Sequence, residues 1–204
     1  MTAVASPERR VEPGETRAQI LQVARELFVE QGFAATSTRE LAERLGFTKA
    51  ALYYHFHTKD ELLSALAAPI TQRLRTLVTE TPLRRTARAR AALLAAYVDI
   101  AAADLDLIRV LTQDPSVARR PASAEHTALF ERMLQLLSGK PTPDAAERAR
   151  ARAALGAARA ALLHSDPDDD PAVLASAALA AACGALGVES PTVRRSGSKR
   201  SVSG

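Results

Sequence analysis

Between Ser37 and Glu61 the sequence opens a helix three times. Ser37-x-x-Glu40 and Thr58-x-x-Glu61 both have the form of a capping box. In that box the hydroxyl accepts an orphan backbone N–H and the glutamate reaches back to the cap's own N–H. Thr48 stands between them as a further N-cap. Gly46 closes the first helix, because glycine enters the left-handed conformation without steric cost. Two short helices follow from this punctuation, separated by three or four residues. Leu41, Ala42, Leu45, Phe47, Leu52 and Phe56 are the positions that face inward.

The flanking sequence is helical too. Thr16-x-x-Gln19 predicts a helix start at Thr16, with a stripe of Ile20, Ala24, Leu27 and Phe28 and a stop at Gly32. From Thr58 a stripe of Leu62, Leu63, Leu66, Ile70, Leu74 and Leu77 predicts a long helix that Pro69 should kink or divide. Further helices are expected over about 83–103 and 104–113, with a loop over 114–121. Ser123 should cap a helix ending at Ser138-Gly139. Thr142-Pro143 should open another with proline at its first position, running to about His164. Asp170-Pro171 should cap the last, about 171–187. Most of the apolar residues are Ala and Leu and only 4% of the chain is aromatic, a balance that favours helix over strand. The expected fold class is therefore all-α: an N-terminal three-helix unit with a helix-turn-helix, then a helical regulatory body. The expected division is an arm over 1–14, a first domain over 15–66, a second over 67–188 and a basic tail over 189–204.

Net charge says little about partners. The formal charge is +4, and Arg194, Arg195, Lys199 and Arg200 carry all of it, so residues 1–193 sum to zero. Affinity for nucleic acid has to come from charge placed locally. Thr36 to Lys59 has that placement: Arg39, Arg44, Lys49 and Lys59 against Glu40 and Glu43. The lone cysteine, Cys183, excludes an internal disulfide and reads as a small core residue. No apolar run is long enough for a membrane span, and residues 1–13 lack the apolar core of a secretion signal, so the expected location is the cytoplasm. His55, His57, His126 and His164 have no zinc-type spacing, and the acidic run Asp166, Asp168, Asp169 and Asp170 lacks the glycine and distal glutamate of a calcium loop. With no phosphate-binding loop, dinucleotide fingerprint or nucleophile elbow, neither an enzyme nor a cofactor is expected.

A helix-turn-helix reads duplex DNA with its second helix in the major groove. Here the helix starts at Ser37 and Thr48 offer N–H groups to phosphates, Ala50 and Ala51 allow close approach to base edges, and Tyr53, Tyr54 and His55 supply polar tips. Arg39 adds a cation to this face. Pairing with Glu40 and Glu43 is its alternative role and the preferred one for Arg44.

The runs Thr38-Arg39-Glu40-Leu41-Ala42, Leu45-Gly46, Thr48-Lys49-Ala50-Ala51-Leu52-Tyr53-Tyr54-His55-Phe56 and Thr58-Lys59-Asp60-Glu61-Leu62-Leu63 together resemble the DNA-binding domain of TetR-family regulators. The resemblance covers residues 16–66. Ala50 departs from it, since many members carry glycine there. The resemblance implies that Thr38, Tyr54, His55 and Lys59 contact phosphates and that Lys49, Ala50 and Tyr53 face bases. It also implies a homodimer on an operator in double-stranded DNA, and a C-terminal domain that binds a small-molecule effector.

For the dimer, small-residue faces of the last two helices are the candidates: Leu155, Ala158 and Leu162, with Leu174, Ala178, Ala181 and Ala185. For the effector, whose class stays open, the candidates are polar or soft residues amid apolar faces: Tyr97, Asp104, Arg109, Gln113, His126, Met133 and His164. The expected function is a transcriptional repressor released from a palindromic operator by a ligand. The alternatives are a ligand-independent or architectural DNA-binding protein, and an adaptor that works through its helical body.

Overall fold

A computed structural model describes residues 13–118, 124–166 and 169–191. Among these residues all regular structure is helical. The helices are α1 (Pro13–Gln31), α2 (Thr38–Leu45), α3 (Lys49–His55), α4 (Lys59–Glu80), α5 (Ala87–Ala103), α6 (Leu105–Gln113), α7 (Pro115–Ala118), α8 (Ala124–Ser138), α9 (Ala145–Leu163) and α10 (Pro171–Leu186). Most of the predicted arm and tail, the Ser123 cap and Asp168 lie outside the described residues.

The chain forms two compact units, and they are not consecutive in sequence. Among the described residues, one takes those up to Arg73 and adds 104–118; the other takes Leu74–Ala103 and those from Ala124 on. α6 thus joins the first unit. Val110 of α6 explains this: it is buried in the same cluster as Ile20, Ala24, Leu27 and Phe28 of α1, Leu41 and Ala42 of α2, Leu52 of α3, and Leu62 and Leu63 of α4. In the second unit α5, α8, α9 and α10 pack together. Their core is Leu93, Leu94 and Val98, Met133, Leu134 and Leu137, Ala154, Leu155, Ala158 and Leu162, with Ala178, Ala182 and Cys183. Alanine at these α9 and α10 positions brings the two helix backbones close.

Several expected boundaries shift. α1 begins at Pro13, so Thr16 and Gln19 are interior helical residues and not a cap. Proline's fixed φ suits a first helical position, and that outweighs the box. α4 runs unbroken through Pro69. α5 starts only at Ala87, where the Thr86 hydroxyl accepts the Ala89 N–H. The loop expected after Asp114 contains the short α7. α9 is capped by Asp144, not opened by Pro143, because Asp144 and Glu147 form a reciprocal capping box. At α10 the expectation holds: Asp170 caps it and Pro171 is its first residue. Gly187, in the left-handed conformation at φ 74°, ends it.

Candidate nucleic-acid interface

The helix-turn-helix is built by its caps. The Ser37 hydroxyl accepts the Glu40 N–H at 3.1 Å, and the Glu40 carboxylate accepts the Ser37 N–H in return. Gly46 ends α2 at φ 68°, and its N–H donates to the Ala42 and Glu43 carbonyls. Two residues later the Thr48 hydroxyl accepts the Ala51 N–H at 3.1 Å and starts α3.

α3 is seated through one side only. Leu52 and Phe56 are buried, four residues apart, while Lys49, Ala50, Ala51, Tyr53 and Tyr54 are exposed. Tyr54 is the extreme case at 81% exposure. A large aromatic left in water is a contact surface in waiting, because it can stack or cover a partner at little entropic cost. Tyr54 lies edge-on to the His55 ring at 5.2 Å. The Lys49 ammonium sits 5.6 Å from the Tyr53 ring, at the N-terminal end of the same exposed face. From Arg44 to Lys59 the chain has no acidic residue, so nothing in that stretch opposes an incoming polyanion.

The remaining sequence candidates divide. Thr38 is half-buried at the start of α2. Arg39 is exposed and pairs with Glu43 at 2.8 Å, so it stands in the interface region already engaged with a neighbour one turn on. Arg44 does pair, but with Glu30 of α1 through two bonds of 3.1 and 3.2 Å rather than with Glu40 or Glu43. Lys59 is turned inward: its ammonium donates to the carbonyls of Phe33 at 2.6 Å, Thr36 at 2.8 Å and Ala34 at 3.3 Å.

Sequence reasoning missed Arg17. Its guanidinium lies 4.1 Å from the Phe56 ring centre and donates to the His55 carbonyl at 3.2 Å, placing an exposed cation at the C-terminal end of α3. The only sequence signal would have been an exposed arginine on the first helix. The contact spans 38 residues and is invisible to local pattern.

The effector candidates are divided between the two units. Asp104, Arg109 and Gln113 belong to the first unit; Tyr97, His126, Met133 and His164 belong to the second. Met133 is a core residue, His126 and His164 are exposed, and Gln113 is exposed. Arg109 lies 3.8 Å from Asp106. Tyr97 is half-buried, and burial raises its phenol above the ordinary value despite the Arg159 charge. Asp104 needs no ligand to satisfy it: Arg25 donates to one carboxylate oxygen at 2.9 Å and Arg73 to the other. Burial pushes this carboxyl upward, but the two guanidinium bonds and charges outweigh it and hold it below the ordinary carboxylate range.

Known proteins resemble parts of this chain in sequence and its fold in structure. Residues 20–66 match the sequence profile of the bacterial regulatory proteins of the tetR family. The HTH-type transcriptional regulator TtgR of Pseudomonas putida is 46% identical over 55 residues, 27% of this chain and 26% of that protein. The HTH-type transcriptional repressor Rv1474c of Mycobacterium tuberculosis is 34% identical over 105 residues, 50% of this chain and 54% of that one. The chain thus spans only about a quarter to half the length of these relatives. Among solved structures, a transcriptional regulator from Aquifex aeolicus superposes with a TM-score of 0.63 at 20% identity, over 80% of this chain and 95% of that one. The ketosteroid transcriptional regulator KstR2 of Mycobacterium tuberculosis does so with 0.63 at 19% identity, over 88% and 98%. At such identities the likeness is one of fold. Taken with the capped α2–turn–α3 geometry, these matches make residues 20–66 similar to the DNA-binding segment of the tetR-family regulatory proteins.

Proposed function

We propose that the protein is a sequence-specific, DNA-binding transcriptional repressor that acts as a homodimer on a palindromic operator and is released by a small-molecule effector. One observation carries the reading: α3 buries Leu52 and Phe56 and leaves Lys49, Ala50, Tyr53 and Tyr54 exposed in a stretch without acids. Lys49 is the candidate base reader, through guanine O6 and N7. Thr38, Tyr54 and His55 are the candidates for phosphate contact, which sets register and not sequence. Several relatives bear the name of repressor, which supports the sign of regulation.

Dimerisation is supported by α10. Between Pro171 and Leu186 this helix has no charged residue, yet Val173, Ser176, Ala177, Ala180, Ala181 and Gly184 are exposed. The proposed seam differs from the one expected from sequence. Leu155, Ala158, Leu162 and Ala178 are buried in the protomer's own core and are not available to a partner. Leu174 and Ala185 are half-buried, and Ala181 alone of that set is exposed. The outward faces of α10 and of α9, at Ala149, Ala153, Gly156 and Ala160, take their place. A dimer matters because one short helix contacts too few base pairs for specificity, whereas two sites about 34 Å apart read one turn of duplex from each protomer.

Selection of bound sequences from random duplex DNA by the purified protein tests the reading. An enriched inverted repeat is the expected result. Equal binding to scrambled DNA would leave a ligand-independent, architectural role instead.

A further inference from the structure

The turn between α1 and α2, residues 32–36, is gripped from two distant parts of the chain. Lys59, the first residue of α4, directs its ammonium at the carbonyls of Phe33, Ala34 and Thr36 and lies 4.3 Å from the Phe33 ring centre. An ammonium has three N–H donors, and three carbonyls converge on this one. From the other side Asp114, which follows α6, accepts the Ala34 N–H at 3.1 Å. Its second oxygen accepts from the Ser116 N–H at 2.9 Å and the Ser116 hydroxyl at 2.6 Å, which fixes the carboxylate. The peptide groups of Ala34 are therefore held on both sides, the N–H by Asp114 and the carbonyl by Lys59. Within the turn, the Thr36 side chain is 2% exposed and donates to the Gly32 and Leu27 carbonyls. Ser37, the cap of α2, follows directly.

The electrostatics agree. A helix C-terminus favours a cation, and α1 has no basic residue in its last turn. Lys59 supplies that cation across 26 residues of sequence.

On the reading of the protein as a DNA-binding regulator, we infer that Lys59 and Asp114 are positioning residues that clamp the α1–α2 turn and so set the pose of α2 and α3, and that Lys59 is not a phosphate contact. A lysine on the DNA-facing side and a lysine clamped inside differ in a measurable way. Removing a phosphate contact reduces the slope of log Kd against log salt concentration by about 0.9 per protomer. Removing an internal clamp weakens binding and leaves the slope unchanged.

The experiment uses the full-length protein and its own selected duplex, with affinity measured over a range of salt and well below the melting temperature. Lys59→Met, which keeps the aliphatic stem, should weaken binding about tenfold with the parental salt slope. Lys59→Arg should not rescue it, because a planar guanidinium cannot converge three donors on one point as an ammonium does. A slope reduced by about 0.9 per protomer, with binding restored in Lys59→Arg, would overturn the inference and return Lys59 to the DNA backbone. Should Lys59→Met fail to fold, the second arm decides. Asp114→Ala should weaken binding with the parental slope, and Asp114→Asn, which keeps an acceptor for the Ala34 N–H, should recover it. If Asp114→Ala lowers the melting temperature but its folded fraction binds as the parent does, the positioning role is wrong. A parent that enriches no sequence sinks the DNA reading and this inference together; a parent that binds while Lys59→Met loses slope sinks this inference alone.

Discussion

Two interface side chains, Lys49 and Tyr53, and the Asp104 carboxylate carry most of what can be tested at the scale of single residues. Lys49 and Tyr53 share the exposed face of α3, with the Lys49 ammonium 5.6 Å from the Tyr53 ring. A good base contact discriminates by about 1–3 kcal/mol, so Lys49→Ala with Tyr53→Ala should cost at least tenfold in affinity for the selected site. It should change binding to scrambled duplex far less, and competition binding on both duplexes would show it; equal losses on the two would assign these residues to the backbone. Asp104 offers a test by pH. Its carboxyl is held below the ordinary range in the folded protein by Arg25 and Arg73, which outweigh the upward push of burial. The folded state therefore binds this proton less readily than the unfolded chain does. The stabilisation is present above the unfolded value of about 3.9 and is lost as pH falls through the lower folded value. Asp114 has the same sign: burial raises it, and the bonds from Ser116, Ala34 and Phe33 more than reverse that. Asp104→Asn should thus flatten the fall in melting temperature below about pH 4, read by calorimetry. An unchanged pH profile would mean that the Arg25–Asp104–Arg73 cluster contributes no net stability.

At the level of elements, the capping chemistry decides where α2 and α3 begin, and so where the recognition face lies. Ser37 and Glu40 satisfy each other's backbone N–H groups, and Thr48 does the same for Ala51. Ser37→Ala should cost about 1 kcal/mol of stability, the usual range for a lost N-cap being about 0.5–2. Chemical denaturation would measure it, and Ser37→Asp should restore most of the loss. These local elements were legible because a cap, a stripe and a stop fall within a few residues of one another. The division that Pro69 allowed does not occur: α4 continues through it, and the buried apolar residues on either side, Leu63 and Ile70, favour one helix over two. The Thr16 box failed for a similar reason, since Pro13 could start the helix earlier.

For the whole molecule, the outward face of α10 carries the test of assembly. Ala177→Arg places a charge on an exposed, otherwise uncharged face. The expected outcome in sedimentation equilibrium is a shift from dimer to monomer with loss of operator binding, since desolvating an unpaired charge in a closed interface is costly. A dimer unaffected by this change would move the interface elsewhere. The sequence by itself determined the all-α class, the capped α2–turn–α3 motif, the buried pair Leu52 and Phe56, and the last helix with its Asp170 cap. All of these depend on residues at most a few turns apart. Tertiary structure alone decided that Lys59 faces the α1–α2 turn, that Arg17 reaches the end of α3, that Asp104 is held by two arginines, and that α6 belongs with the first unit. It also decided that Leu155, Ala158, Leu162 and Ala178 face their own core. Periodicity shows that a helix has an apolar face, but on a helix made of alanine and leucine two faces qualify, and only the packing of neighbouring helices selects which one is covered.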